Sequence, residues 1–464
     1  MRRTIYALIA AVLIAAAVPA AAGTRDVKLP DYEEHILKNG LKVFVAPTSE
    51  VPLVTMRLLV PAGSCADAAG SEGLAGMTAR LLLKGAGGMG AEEISASVEG
   101  VGGRLEAWAS RDYAVVTCDF LSRDFKLGLG HLARVVTKPD FPADEFEREK
   151  SIVLAEAMSV KENPYSLANR EFLRLLLAPH PYGNPVEGYP ASVGEMKRED
   201  VVAFHGNRYV PEGAVLAIVG DVDAGMAKKL VEKKLGGWKG SAPADSRVAA
   251  LEKQAAKGRR VIVIDKPDLT QSQIRIGNIA AGRDTPDYFE LTVANSVLGG
   301  GFTSRLMDEI RVNRGLSYGA RSRLGQYRYG GFFAVITYTK NATLRETIDV
   351  ALDQVRLMRD EPVGDEELAG SRRYISGLFP FDIETNSDIA QWMTDLEFYQ
   401  LGGDFIEKYR SRIGAVSSDG IRRVAKEHFG YDGNLIVVMT NYEETKDQLE
   451  GLGEIEVIPM ADIE

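Results

Sequence analysis

The side chains that most often carry chemistry are few in this chain and poorly spaced for it. Its five histidines, His35, His131, His180, His205 and His428, include no pair three or four residues apart. No helix face can therefore offer two imidazoles to a metal ion. Cys65 and Cys118 are the only cysteines, which excludes a cysteine-built zinc site and a disulfide scaffold, while one bond between them or two free thiols both stay open. No G-x-S-x-G elbow is present to expose a nucleophilic serine. The run Gly299-Gly300-Gly301 lacks the lysine of a phosphate loop and the strand and acidic partner of a dinucleotide site, so its glycines read as the cap of one helix and the start of the next. His180 opens the turn-rich stretch HPYGNPVEG (180–188) and reads as a loop hydrogen-bonding residue. Carboxylates remain: EREKSIVLAEA places Glu147 and Glu156 on one helical pattern.

The elements that must position these residues come in two similar series. Strand-like runs are expected at 42–46 and 53–60, helices at 73–84 and 91–101, strands at 104–110 and 113–121, a group of helices from 125 to 208, and a buried strand ending at Gly220. The order then repeats, with strands at 260–264 and 271–278, helices at 287–298 and 302–313, strands at 317–324 and 330–337, more helices, and a strand at 435–440. Such repetition implies a duplicated α+β unit of ordinary domain size. The stretch 236–257, GGWKGSAPADSRVAALEKQAAK, reads as the linker between the copies. The boundaries are then a first domain at 23–235, a second at 258–450 and a tail at 451–464.

Across 464 residues the chain is 45% hydrophobic and 26% charged, enough for large cores and too apolar for disorder. With 55 basic against 65 acidic residues the formal charge is −10, which disfavours nucleic acid and anionic bilayers as partners of the chain as a whole. Arg2 and Arg3 precede an apolar run, and Ala20-Ala21-Ala22 offers a small-residue cleavage point, so residues 1–22 read as a secretory signal peptide, with an uncleaved anchor as the alternative. No later segment is apolar enough to span a membrane. The expected location is periplasmic or otherwise extracytoplasmic.

Several ordered segments resemble the insulinase/pitrilysin family of zinc peptidases, and in particular its two-domain branch that includes mitochondrial processing peptidase. They are NGLKVFV, GLA with a helix ending LLLKG, GGRLEAWASRDYAVV, the ERE…E helix, HPYGNPVEG, YVPEGAVLAIVGDVD and GGGFTSRLMDEIR…RGLSY, and they span nearly the whole chain past residue 22. The resemblance implies a pair of homologous α+β domains forming half of a clamshell. It also implies an H-x-x-E-H helix, whose two histidines hold Zn²⁺ and whose glutamate serves as general base. Here the matching positions hold Gly76, Ala79 and Arg80. Two lack a functional group, and the third carries a permanent positive charge that repels a dication. Only Glu156 keeps the type of the family's third ligand, so no metal is expected in this chain.

A second implied constellation does match. In the family the far half of the clamshell supplies an Arg and, seven residues on, a Tyr that approach the peptide, and Arg311 and Tyr318 have that spacing around Gly315-Leu316. A tyrosine hydroxyl can donate to a developing oxyanion, and a guanidinium can grip substrate carbonyls. The family's substrate-binding edge strand usually carries Asn-Ala where this chain has Glu106-Ala107, followed by Trp108, so a residual, non-productive groove is expected there. The reading that results is a non-catalytic subunit of a heterodimeric zinc metallopeptidase acting on peptides or unfolded polypeptides. The partner, a family paralogue, would carry H-x-x-E-H and the zinc. The alternatives are a proteolytically inactive scaffold and a hydrolase using an unrelated site.

Overall fold

The computed structural model describes residues 27–241, 248–252 and 258–463. The leader expected at 1–22 lies outside them, as do 242–247 and 253–257 of the expected linker. No helix among the described residues is long and apolar enough to cross a membrane.

The first domain contains β1 (Glu33–Ile36), β2 (Lys42–Pro47), β3 (Leu53–Val60), α1 (Leu74–Leu81), α2 (Ala91–Glu99), β4 (Arg104–Ala109), β5 (Ala114–Leu121), α3 (Phe125–Thr137), α4 (Ala143–Ser159), α5 (Pro164–Leu177), α6 (Pro190–Glu195), α7 (Arg198–Arg208), β6 (Val215–Gly220) and α8 (Ala224–Leu235). Its sheet has the order β1-β2-β6-β3-β5-β4. β6, VLAIVG, is buried throughout, as a continuous apolar run covered on both faces should be.

The second domain contains β7 (Arg260–Asp265), β8 (Gln271–Ala280), α9 (Tyr288–Asn295), α10 (Arg305–Met307), β9 (Ala320–Tyr327), β10 (Gly330–Lys340), α11 (Leu344–Asp360), α12 (Asp365–Leu378), α13 (Asn386–Phe398), α14 (Tyr409–Ala415), α15 (Ser418–His428), β11 (Leu435–Thr440), α16 (Tyr442–Leu449) and β12 (Glu454–Pro459). Its sheet has the order β9-β10-β8-β11-β7-β12.

Register shows how close the two copies are. β2 runs parallel to β6 with Lys42 opposite Val215, and β7 runs parallel to β11 with Arg260 opposite Leu435. In the adjoining antiparallel pairs Arg57 faces Ala217, and Arg275 faces Val437. The two arginines thus hold the same place in the two sheets. The copies differ at the outer edge, where β1 joins β2 antiparallel but β12 joins β7 parallel. The stretch 451–464, expected as a tail, therefore contributes a strand, Glu454–Pro459, to the second sheet.

Two further expectations shift. The strand expected at 317–324 is β9 at Ala320–Tyr327, because Gly315 turns the chain at φ +63 and Ser317 Oγ is bonded to the Gly319 backbone, holding Tyr318 outside the sheet. The helices expected at 287–298 and 302–313 are regular only in α9 and α10 and continue as wider π-type turns at Ser296–Gly300 and Asp308–Asn313. A Cβ on Gly299 would lie 2.2 Å from the Ser322 amide nitrogen, so the glycine run lets the helical backbone lie directly on β9.

Each domain lends a helix to the other's sheet. Leu167, Phe172 and Leu177 of α5 share a core with Ile262, Ile264, Val437 and Met439 of the second sheet. Ala390 and Met393 of α13 share one with Phe44, Val215, Ala217 and Val219 of the first. The matched arginines anchor both crossings. Arg57 Nε donates to Thr394 Oγ1 at 3.0 Å, and Arg275, fully buried, donates to Asn169 Oδ1 at 2.6 Å and to the Tyr165 carbonyl at 3.1 Å. Such bonding offsets the desolvation of a buried cation. Buried Asp112 closes the junction, accepting from the hydroxyls of Tyr182 and Tyr399 and, at 3.0 Å, from the Arg328 amide of the second domain. Described parts of the linker are also fastened: Trp238 is buried and donates to the Tyr209 carbonyl, and the Leu251 amide donates to the Tyr329 carbonyl.

Candidate functional site

α1 starts where Asp67 accepts the amides of Gly73 and Ala75 at 3.0 and 2.9 Å, covering donors that a helix N-terminus leaves open. This fixes the face that holds Gly76, Ala79 and Arg80. The loop 184–188 lies directly on that face: a Cβ on Gly76 would sit 2.6 Å from the Val186 carbonyl oxygen, and one on Gly73 2.7 Å from that of Glu187. Ala79 is fully buried. Position 76 therefore has neither a ligand nor the room for one.

Arg80 reaches across to α4. Its guanidinium meets Glu156 with one nitrogen at 2.6 Å and the other at 3.4 Å, and approaches Glu149 at 3.8 Å. Glu149, whose side chain is only 6% exposed, is paired with Lys84 at 2.8 Å. Glu149 and Glu156 are thus neutralised by two cations of the chain itself, and the set does not fit a zinc ion. The sequence pattern singled out Glu147, but that residue is exposed and the buried carboxylate is Glu149. The missed signal was spacing, since Glu149 lies seven residues before Glu156, two helical turns along one face.

The other candidates come together in the second domain. Arg311, in the wide turn after α10, and Tyr318, in the turn before β9, both line a cavity of about 940 Å³ that also takes in Gly299–Gly301, Phe302 and, from the first domain, Tyr165. Arg311 lies over the Phe302 ring at 5.0 Å, and Tyr318 is 81% exposed. Among the described residues neither side chain is held by a hydrogen bond or an ion pair. Both are thus free to bind something outside the chain. Arg321 and Arg323 of β9 line the same cavity, and no aspartate, glutamate or lysine does. These two arginines were not singled out from sequence, where they read as ordinary polar positions of a strand.

At the edge strand of the first domain, Glu106 is paired with Arg104, and Trp108 is partly covered by the Arg57 guanidinium 5.5 Å from its ring. His180 does act as a loop residue, with Nδ1 accepting the Tyr182 amide at 3.1 Å and Nε2 bonded to the Ala249 carbonyl at 2.9 Å. Cys65 and Cys118 are buried free thiols. Burial, with Asp112 and Asp67 near, pushes the Cys65 thiol up to about 12. A group so protonated is a poor nucleophile.

Comparison with known proteins places the chain in a family. The family model described as insulinase (peptidase family M16) matches residues 42–188, and that described as peptidase M16 inactive domain matches 195–375. An uncharacterized zinc protease of Mycobacterium leprae is 27% identical over 398 residues, 84% of this chain and 88% of its own length. The beta subunit of mitochondrial processing peptidase of Lentinula edodes is 22% identical over 435 residues, 90% of this chain and 92% of its own. Among solved structures, a peptidase M16 inactive domain from Pseudomonas fluorescens superposes with a TM-score of 0.81 at 28% identity, covering 88% of this chain and 98% of that one. Complex III2 of Candida albicans, at 14% identity and a TM-score of 0.75, shares the fold. A duplicated α+β clamshell half, an α1 without the H-x-x-E-H set and matches in both domains lead to one assignment: the chain belongs to the insulinase, or M16, peptidase family, as an inactive-type member.

Proposed function

We propose that this chain is the non-catalytic subunit of a two-chain zinc metallopeptidase, and that its second domain lends Arg311 and Tyr318 to a paralogous partner bearing H-x-x-E-H and the zinc. The observation that carries the reading is the pairing of Arg311 and Tyr318 at one cavity, with neither side chain hydrogen-bonded or ion-paired among the described residues. A tyrosine kept for packing would be buried, as Tyr182 and Tyr209 are. The substrate is a peptide or unfolded polypeptide, and the complex works outside the cytoplasm, as the leader sequence suggests. Tyr318 would donate its hydroxyl proton in a hydrogen bond to the oxyanion that forms at the scissile carbonyl, and Arg311 would hold a neighbouring carbonyl of the same peptide.

The test is reconstitution with that paralogue. This chain alone should hydrolyse nothing, and the pair should be active. Tyr318→Phe should leave assembly intact and lower kcat by about 10²–10³-fold, the scale of one lost oxyanion donor. A properly assembled Tyr318→Phe complex with unchanged turnover would refute the role. The second reading, a proteolytically inactive scaffold, would then account better for the chain, and for Tyr374, Leu378 and Phe381, which stand 52%, 44% and 65% exposed at helical spacing from α12 into the turn that follows it.

A further inference from the structure

The second sheet ends on an open strand at the edge opposite β9. β12 pairs with β7 on one side and has no strand on the other. In that parallel pair the Glu454 amide donates to the Arg259 carbonyl at 3.0 Å, and the ladder alternates from there, so Glu454, Glu456 and Ile458 turn their N–H and C=O groups inward to β7. Ile455 and Val457 turn theirs outward, and among the described residues nothing bonds to them. All of β12 except Ile458 is exposed, as an edge left open to solvent should be. Its two faces differ. Ile455 and Val457, each 37% exposed, lie opposite the fully buried Val261 and Val263 of β7, so an apolar row that begins inside the sheet runs out to its rim. Glu454 and Glu456 stand on the other face. Glu454 makes no ion pair among the described residues, and Glu456 only approaches Arg260, at 4.0 Å. The surrounding chain adds to this charge, with seven acidic residues and one lysine from Glu443 to Asp462, and that lysine, Lys446, is paired with Glu443.

We propose that β12 is a docking edge for an extended segment of another polypeptide in which basic and β-branched residues alternate. The outward groups of Ile455 and Val457 supply the backbone pairing. Alternation has the period of a strand, so every basic side chain falls on the face of Glu454 and Glu456, while the branched ones continue the row of Ile455 and Val457. A second copy of β12 is the wrong occupant, because it would set carboxylate against carboxylate. Pro459 has no N–H to offer and closes the pairing window at its far end. The competing account is protective, since charge, proline and a short strand also keep edges from pairing. β12 and β9 are the two outer strands of the sheet, and no residue of β12 lines the cavity of Arg311 and Tyr318. The inference therefore does not rest on the functional reading.

The full chain is titrated at low salt against a fluorescein-labelled peptide that alternates lysine with valine or threonine, about ten residues long so as to span the strand, and binding is followed by polarisation. One control has glutamate for lysine. A second keeps the composition but groups the lysines at one end, which leaves the charge and destroys the two faces. The alternating lysine peptide should bind at least about tenfold more tightly than the glutamate peptide, as charge complementarity requires, and several-fold more tightly than the grouped one. Val457→Pro removes an outward N–H and leaves the ladder to β7 intact, so it should weaken binding several-fold. Glu454→Gln combined with Glu456→Gln should do the same, each protein being confirmed folded by circular dichroism. Absence of binding at millimolar peptide, equal affinity for the two charges, or wild-type affinity in the double glutamine variant overturns the proposal. Equal affinity for the alternating and grouped peptides, or wild-type affinity in Val457→Pro, shows attraction of charge without strand pairing and overturns it too.

Discussion

Gly76→Ala is the smallest change that probes why the first domain has no metal position. In an open helix the replacement is favourable, since alanine exceeds glycine in helix propensity by about 1 kcal/mol. Position 76 is not open. The new Cβ would lie 2.6 Å from the Val186 carbonyl oxygen, and the loop has little freedom to retreat: Gly188 lies so close to the Glu72 carbonyl that a Cβ there would come within 2.2 Å, and Ser192 Oγ donates to that carbonyl at 2.8 Å. Forcing a methyl into such a contact costs about 1–3 kcal/mol, which outweighs the propensity gain and leaves a net loss of roughly 1 kcal/mol. Gly370 in α12 is the control, because nothing lies within 4 Å of the Cβ it would gain. Gly370→Ala should stabilise by about 0.5–1 kcal/mol. Urea unfolding followed by intrinsic fluorescence should therefore move the two midpoints in opposite directions at constant slope. If Gly76→Ala raises the midpoint as Gly370→Ala does, the loop yields easily and the steric argument against a side chain at position 76 fails.

Elemental analysis of the dialysed chain should find far less than one zinc per molecule, and a stoichiometric ratio would show that the Arg80 ion pairs do not govern the site. Arg275→Met should destabilise by about 2–4 kcal/mol, because it removes the shared donor of the Tyr165 carbonyl, Asn169 Oδ1 and the buried Thr337 carbonyl at the junction; a loss below 1 kcal/mol would mean that water replaces it. Burial pushes the Asp395 carboxyl up to about 6, against the pull of Arg57 and Arg283. The folded chain then keeps a proton that the unfolded chain releases near pH 4, so stability should fall as pH rises from about 4 to about 6. Asp395→Asn should remove that part of the slope, and an unchanged profile would assign the slope to other groups.

Much of the architecture is legible in the residues. Continuous apolar runs such as VLAIVG give β6 and its counterpart β11, and the repeated order of elements gives the duplication. Gly76, Ala79 and Arg80 stand out because the chemistry expected of their positions is so specific. Side-chain type alone did not distinguish Glu149 from Glu147, since one helical face becomes the buried one only after α1 and Lys84, in the turn that follows it, pack on it. The start of β9 was misplaced because Ser317-Tyr318 has strand-like composition, while the turn that excludes it depends on Gly315 and on hydrogen bonds to a neighbouring backbone. The apolar stripe of α5 says that the helix is covered. It does not say that the covering sheet belongs to the other domain.

That exchange of helices bears on how the molecule can move. A hinge needs a section across which few contacts run, and here a cut between the sheets would strip α5 from one and α13 from the other, exposing apolar strand faces and unpartnering Arg57, Arg275 and Asp112 together. Breathing of the two halves would thus resemble partial unfolding more than rotation. Under the proposed two-chain reading, an excursion that admits and releases a polypeptide would belong at the boundary between the chains, where surfaces can part without uncovering a core. By the same logic the chain resists division: a gene cut within 242–257 would yield two products, each lacking one wall of its own interior.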